Sequence, residues 1–227
     1  NITWEYNDET CELVLSGSGA MAESEYGEQP WKDYKNDIKS VVVNSGITSI
    51  GKNAFCELYA LESAVIPESV TSIEDYAFAY TDIVSMELPE GLIHIGADAF
   101  WACEELVDME LPEGIQSIGR QAFYNTGLTQ LTIPNSVTSI QDGAFKSCNL
   151  KVLKTPVGFL NDSRYMSSIF GNMQSIEELI LTQNEVTPTT GISSYDKTYL
   201  YSPKYHSRET LKKVIFEESV YSIYSSL

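Results

Sequence analysis

Few side chains in this 227-residue sequence have the types and spacing that chemistry requires. There are two histidines, His94 and His206, and His94, set between Ile93 and Ile95, reads as a surface residue in a turn. Of the four cysteines, Cys11, Cys56, Cys103 and Cys148, no two form a Cys-x-x-Cys pair and none has a histidine at ligand spacing, which argues against zinc. Acid pairs such as Glu104-Glu105 are sequence neighbours, whereas glycoside hydrolysis needs two carboxyls facing each other across a cleft. No Gly-x-Ser-x-Gly elbow, His-Glu-x-x-His helix, phosphate-cradling glycine loop or calcium loop is present, and Gly17-Ser18-Gly19 lacks the lysine of a phosphate loop. The sequence therefore predicts no enzyme, no catalytic residue, no metal ligand and no cofactor, and turns attention to surfaces.

Charge is the first surface property. The net charge is −18, and from Asn53 to Gly119 there is no Lys or Arg against fourteen Asp and Glu. Beyond residue 145 the balance is nine Lys and Arg against eight acids. An acidic middle repels phosphate backbones and anionic lipid, so nucleic acid is excluded as a partner. A basic protein patch is the complementary partner. Calcium on the acids is an alternative that a melting titration tests, and a solubilising surface is the plainest reading of all. No run of about 18 apolar residues exists, so no membrane span is expected.

The elements that present this surface follow from a repeat. Ala-Phe recurs at Phe55, Phe78, Phe100, Phe123 and Phe145, at intervals of 23, 22, 23 and 22 residues. A unit of that size cannot bury its own apolar face and must stack on a neighbour, which makes a solenoid. Before each Ala-Phe lies an alternating segment such as Leu128-Thr129-Gln130-Leu131-Thr132-Ile133-Pro134, which reads as a strand with one buried face, closed by a proline that cannot continue a ladder. A turn at Glu68-Ser69, Glu90-Gly91, Glu113-Gly114 or Asn135-Ser136 leads to a second inward stretch ending at Ile73, Ile95, Ile118 or Ile140. The Ala-Phe pair is expected on a helical turn across the back, its Phe rings (Phe170 included) forming one interior column. Equivalent cysteines lie two repeats apart, about 10 Å, beyond the reach of a disulfide, so free buried thiols are expected.

The motif at Leu128–Phe145 resembles the leucine-rich repeat family, and within it the bacterial surface-antigen type, BspA-like. The resemblance runs from residue 1 to about residue 149. It implies an α/β-type repeat solenoid, a right-handed superhelix with a parallel β ladder on the concave face, short helical turns on the back and an N-terminal hairpin cap. The residues agree: Ile2–Tyr6, a turn at Asn7-Asp8 and Leu13–Leu15 read as a hairpin, and Trp31, Tyr34 and Ile38 share one face of a short helix. The expected division is a cap over 1–37 and a solenoid of about eight strands over 38–227, irregular after 149, with a Tyr-rich insertion at 182–210. The closing stretch from Ser219 to Leu227 begins another repeat without its Ala-Phe, so end-to-end self-association through the C-terminal edge, or a larger parent protein, is expected.

Strand alternation then picks out a binding surface on the concave face: Ser85, Glu87, Asp108, Glu110, Gln130, Thr132, Val152, Lys154, Glu178 and Ile180. Tyr195, Tyr199, Tyr201 and Tyr205 in the insertion are the second candidate surface, either covering the core or forming an aromatic contact loop. The resemblance implies a non-enzymatic adhesion or protein-interaction module of a bacterial secreted or cell-surface protein, with host matrix or bacterial surface proteins as partners. A structural spacer within a larger surface protein, and carbohydrate binding through the insertion, are the alternatives.

Overall fold

In the computed structural model the described residues are 2–156, 159, 168–170, 175–182 and 211–217. The chain opens with β1 (Ile2–Asn7), β2 (Glu12–Gly17) and β3 (Gly19–Ala20), passes a single-turn 3-10 helix (Lys32–Tyr34), and continues with β4 (Ser40–Val43), β5 (Ile47–Ile50), β6 (Ser63–Val65) and β7 (Ser72–Ile73). It goes on through β8 (His94–Ile95), β9 (Ser117–Ile118), β10 (Gln130–Thr132), β11 (Ser139–Ile140), β12 (Val152–Pro156), β13 (Glu178–Thr182) and β14 (Lys213–Phe216). These strands form parallel ladders on two faces of a solenoid. On one face β2, β4 and β6 pair in parallel, as do β10, β12, β13 and β14. On the adjoining face β3, β5, β7, β8, β9 and β11 stack in that order. The hairpin β1–β2 is antiparallel and is joined to the first ladder directly, since β2 pairs with β4. His94 lies in β8 instead of a turn, its Nδ1 2.8 Å from Ser117 Oγ on the next coil.

The core is the stack the repeat demands. Phe55, Phe78, Phe100, Phe123 and Phe145 are all fully buried. Successive ring centroids are 5.2, 5.3, 5.1 and 5.2 Å apart, and Phe170 follows at 5.6 Å. The alanine before each of the five repeat rings is buried with it. Coils meet closely enough at the corners that a Cβ on Gly119 would come within 2.4 Å of the backbone of Gly96 one coil back, which is why a glycine stands there.

The back of each coil departs in detail from the helical turn expected of the Ala-Phe pair. It is a ribbon of tight turns, and among the described residues of the repeats only 159 and 168–170 are helical. Backbone N–H groups alternate in their use. Those of Asn53, Phe55 and Glu57 donate to Asp75, Ala77 and Ala79 of the next coil, whereas those of Ala54, Cys56 and Leu58 donate three residues back. The same alternation recurs in later coils. A helix would spend its N–H groups internally and would hold neighbours 8–10 Å apart, about twice the strand spacing. The turn ribbon instead keeps the rise near that of the strands, so front and back climb together. Its geometry places two residues per coil in the left-handed region: Asn53 and Glu57, Tyr76 and Tyr80, Asp98 and Ala102, Gln121 and Asn125, Gly143 and Ser147.

The cap is held by aromatic residues. Trp31 stacks on Phe55 and donates its indole N–H to the Ala54 carbonyl at 3.0 Å. Trp4 packs edge-on against Trp31 and Tyr34. Trp31 and Ile38 are buried, while Tyr34 is part of this outer aromatic cover.

Candidate functional site

The first strand face carries ten residues that alternation selects, and register brings most of them into columns. Gln130 is opposite Val152, and Val152 opposite Glu178; Thr132 is opposite Lys154, and Lys154 opposite Ile180. Ser85 and Asp108 are joined by an isolated parallel bridge. Gln130 Nε2 donates to Asp108 Oδ1 at 3.2 Å, linking the bridge to β10. Glu87 and Glu110, two positions further on, are exposed. The strands expected over 83–88 and 106–111 are thus reduced to one bridge, with Val84 N–H reaching Glu62 O at 3.4 Å and Val107 N–H reaching Val84 O at 3.2 Å. Two carboxylates on neighbouring strands about 4.8 Å apart repel by roughly 0.9 kcal/mol in a water-like dielectric, enough to favour a loose ladder but not to break the stack.

Strict alternation finds two outward residues per strand, and the structure has three. Because the apolar pattern is Leu-x-x-Leu-x-Ile, the position after the first Leu also faces out. Lys39, Glu62, Val84, Val107 and Thr129 occupy it, all exposed, with Lys151, Glu177 and Lys212 after them. This missed column changes the picture of the face in two ways.

First, it separates two electrostatic regimes. Towards the C-terminal end each acid among the described residues of this face is matched: Glu177 lies 3.7 Å from Lys151 and 2.6 Å from Lys212, Glu178 is 3.3 Å from Lys213, and Glu217 is 2.7 Å from Lys154. The Lys212 ammonium hydrogen-bonded to Glu177 holds that carboxyl below the ordinary glutamate range. In the middle, Glu62, Glu87, Asp108 and Glu110 have no cation paired to them among the described residues.

Second, it relocates the exposed aliphatic surface. Val152 and Ile180, expected to be open, are half-buried between strands. Among the described residues the exposed valines are Val65 at 60%, Val84 at 46% and Val107 at 45%, before and beside the unpaired acids. Val84 and Val107 belong to the missed column. The face also begins earlier than the first repeat, because Glu12 and Val14 of the hairpin are in register with Ser40 and Val42.

Tyr195, Tyr199, Tyr201 and Tyr205 lie outside the described residues, as does the whole stretch from Ser219 to Leu227 on which the expected C-terminal edge and self-association rest. The cysteines are free thiols. Cys103 donates to the Phe78 carbonyl and lies 3.3 Å from Thr81 Oγ1, and Cys148 repeats this against Phe123 and Thr126. Burial pushes the Cys103 thiol up to about 11 and that of Cys56 up to about 12. Among the described residues no group of three or more His, Cys, Asp or Glu is placed to hold a metal ion, and no helix is long and apolar enough to cross a membrane.

The geometry has counterparts elsewhere. No curated protein is detectably similar to the chain. Among solved structures, a leucine-rich repeat protein from Eubacterium ventriosum ATCC 27560 shares 28% identity, with a TM-score of 0.63 over 78% of this chain and 53% of that one. The pneumococcal vaccine antigen PcpA shares 20% identity, with a TM-score of 0.50 over 74% of this chain and 51% of that one, a likeness of fold. The chain spans about half the length of each. The model of the BspA type leucine rich repeat region matches in six copies over residues 33–151, more than half of the sequence. Repeat period, parallel two-faced solenoid and family match agree, and the chain belongs to the BspA-type leucine-rich repeat family.

Proposed function

We propose that the chain is a non-enzymatic binding module that takes a protein partner on its first strand face, in a secreted or cell-surface setting. The observation that carries this reading is the contrast within one face. Acids at one end are neutralised by lysines one coil away, while Glu62, Glu87, Asp108 and Glu110 are left unmatched beside three exposed valines. A surface built only for solubility has no need to group open aliphatic side chains with uncompensated charge. The complementary partner surface is basic and apolar, and a host matrix or bacterial surface protein with such a patch fits. Eight coils at about 4.8 Å span roughly 34 Å, the scale of an interface of about 800 Å² per partner. The secreted or surface setting is drawn from the family, not from any segment of the chain.

The test compares the chain with its Glu87→Lys, Asp108→Lys, Glu110→Lys variant as baits against matrix and bacterial surface extracts. Binding through this face predicts a retained protein that the variant loses and that elutes with moderate salt, because the contacts are screened. Equal retention by both baits would remove this face as the site.

A further inference from the structure

The back of the solenoid carries a surface that neither the family nor the strand face accounts for. Trp101 is surrounded by three tyrosines from the two neighbouring coils. Tyr80 lies 5.3 Å away, Tyr124 6.3 Å and Tyr76 6.4 Å, centroid to centroid, at interplanar angles of 45°, 73° and 61°. All four rings are half-buried.

Packing does not require these residues. The position after the column Phe is Cys56, Ala79, Trp101, Tyr124 and Lys146 in successive coils, so the coil closes equally with a small or a charged side chain. The turn ribbon puts two residues of every coil in the left-handed region, and the other coils fill these places with Asn53, Glu57, Asp98, Ala102, Gln121, Asn125, Gly143 and Ser147, whereas one coil has two aromatic residues there, Tyr76 and Tyr80, at φ 57° and 61°. The fold sets the backbone at these positions but does not call for a ring.

The patch is ringed by polar groups. The Arg120 guanidinium, whose side chain is 55% exposed, reaches the Asp98 carboxyl beneath it, only 2% exposed, at 3.4 Å from Nη2 to Oδ2. Asn125 Nδ2 donates to Glu104 Oε1 at 2.9 Å. Aromatic faces with carboxylate, guanidinium and amide groups at their rim match a ligand that has one apolar face and a girdle of hydroxyls. That is a pyranose ring. From coil to coil the ring steps of 5.3 and 6.3 Å are close to the length of one sugar residue, so an extended chain would meet an aromatic on each of several coils. Lys and Arg are absent from residue 53 to 119, and the Arg120 guanidinium at the rim is already paired with Asp98, which disfavours an anionic sugar. The rings pack edge to face into one patch, not as parallel walls of a groove, which disfavours a proline-rich helix.

From these observations we infer that the back-face cluster of Tyr76, Tyr80, Trp101 and Tyr124 is a binding site for a neutral oligosaccharide. Calorimetric titration of the full chain with hexasaccharides of glucose, N-acetylglucosamine, mannose and galactose tests it, with a hexauronate and decaproline as further arms. At least one neutral sugar is expected to bind and to change tryptophan fluorescence, with the hexauronate about ten-fold or more weaker. Trp101→Ala and Tyr80→Asn are each expected to weaken that binding about ten-fold or more. Tyr80→Asn keeps the test independent of folding, because Asn suits the left-handed backbone and its melting temperature should be unchanged or higher. The assignment is overturned if no neutral sugar binds at millimolar concentration, if decaproline or the hexauronate binds in preference, or if the sugar binds Tyr80→Asn as well as the parent chain.

Discussion

The indole of Trp31 lies over the ring of Phe55, centroids 5.7 Å apart and planes 25° from parallel. The cap is therefore the first tier of the aromatic column, not a lid laid across its end. Its indole N–H closes onto Ala54 O and so satisfies a carbonyl beside the first Ala-Phe. Removing it opens a cavity and orphans that acceptor together. Trp31→Ala should lose about 3–5 kcal/mol in urea unfolding, with the hairpin amides of β1 and β2 losing hydrogen-exchange protection first. A loss under about 1 kcal/mol would mean that the cap is not part of the core.

A second tie between cap and solenoid titrates. The Tyr26 hydroxyl donates to Glu57 Oε1, and Lys35 Nζ lies 3.2 Å from Glu57 Oε2. The Tyr26 hydrogen bond is the largest cause holding the Glu57 carboxyl below the ordinary glutamate range. A lowered folded value means that this stabilisation is complete above the unfolded value and is lost as pH falls through the folded one. In Tyr26→Phe the Glu57 value should rise towards the unfolded one, so the variant should be less stable than the parent at neutral pH and lose less stability on acidification, the two chains converging at low pH. Melting temperatures across the carboxylate range, compared with the parent chain, check this; coincident profiles would contradict it.

The buried thiols give a kinetic readout of stacking. Cys103 is fully enclosed and both it and Cys56 are held protonated by desolvation, while Cys11 sits half-buried at the hairpin turn. With a disulfide reagent at about pH 8, where thiolate is the reacting form, Cys56 and Cys103 should react only as the chain unfolds. Their labelling rate should then be independent of reagent concentration at high reagent. Immediate labelling of Cys103 in the native chain would mean that the coils part locally.

Much of this was legible in the residues. The period of 22–23 placed the Phe column, and the alternation placed the columns of Gln130, Val152 and Glu178 in the register observed. The hairpin was legible from Ile2–Tyr6 and Leu13–Leu15. Trp31 was placed with the cap, although it lies 24 residues before Phe55, nearly one period; a different ring type and Pro30 in place of alanine hid the continuity. The turn ribbon was hidden for a physical reason. Its left-handed positions hold Glu57, Tyr76, Tyr80, Ala102 and Gln121 among others, none of these five a residue type that announces positive φ. The third outward column was missed because a Leu-x-x-Leu spacing is not strict alternation. With it went the exposed Val84 and Val107 and the contrast between matched and unmatched acids that marks the candidate face.

The strand face stays in register because every coil hangs on one shared interior. Phe100 stacks on Phe78 at 5.3 Å and on Phe123 at 5.1 Å, in the coils that carry Glu87 and Glu110. Native-state hydrogen exchange of Phe100→Ala tests this most directly. The stacked interior predicts a global loss of about 3–5 kcal/mol, with protection falling in the coils on both sides, at the amides of Phe78 and Phe123 as well as those around residue 100. A loss confined to residues 92–106, with the neighbouring coils protected as before, would show separate cores and contradict the account.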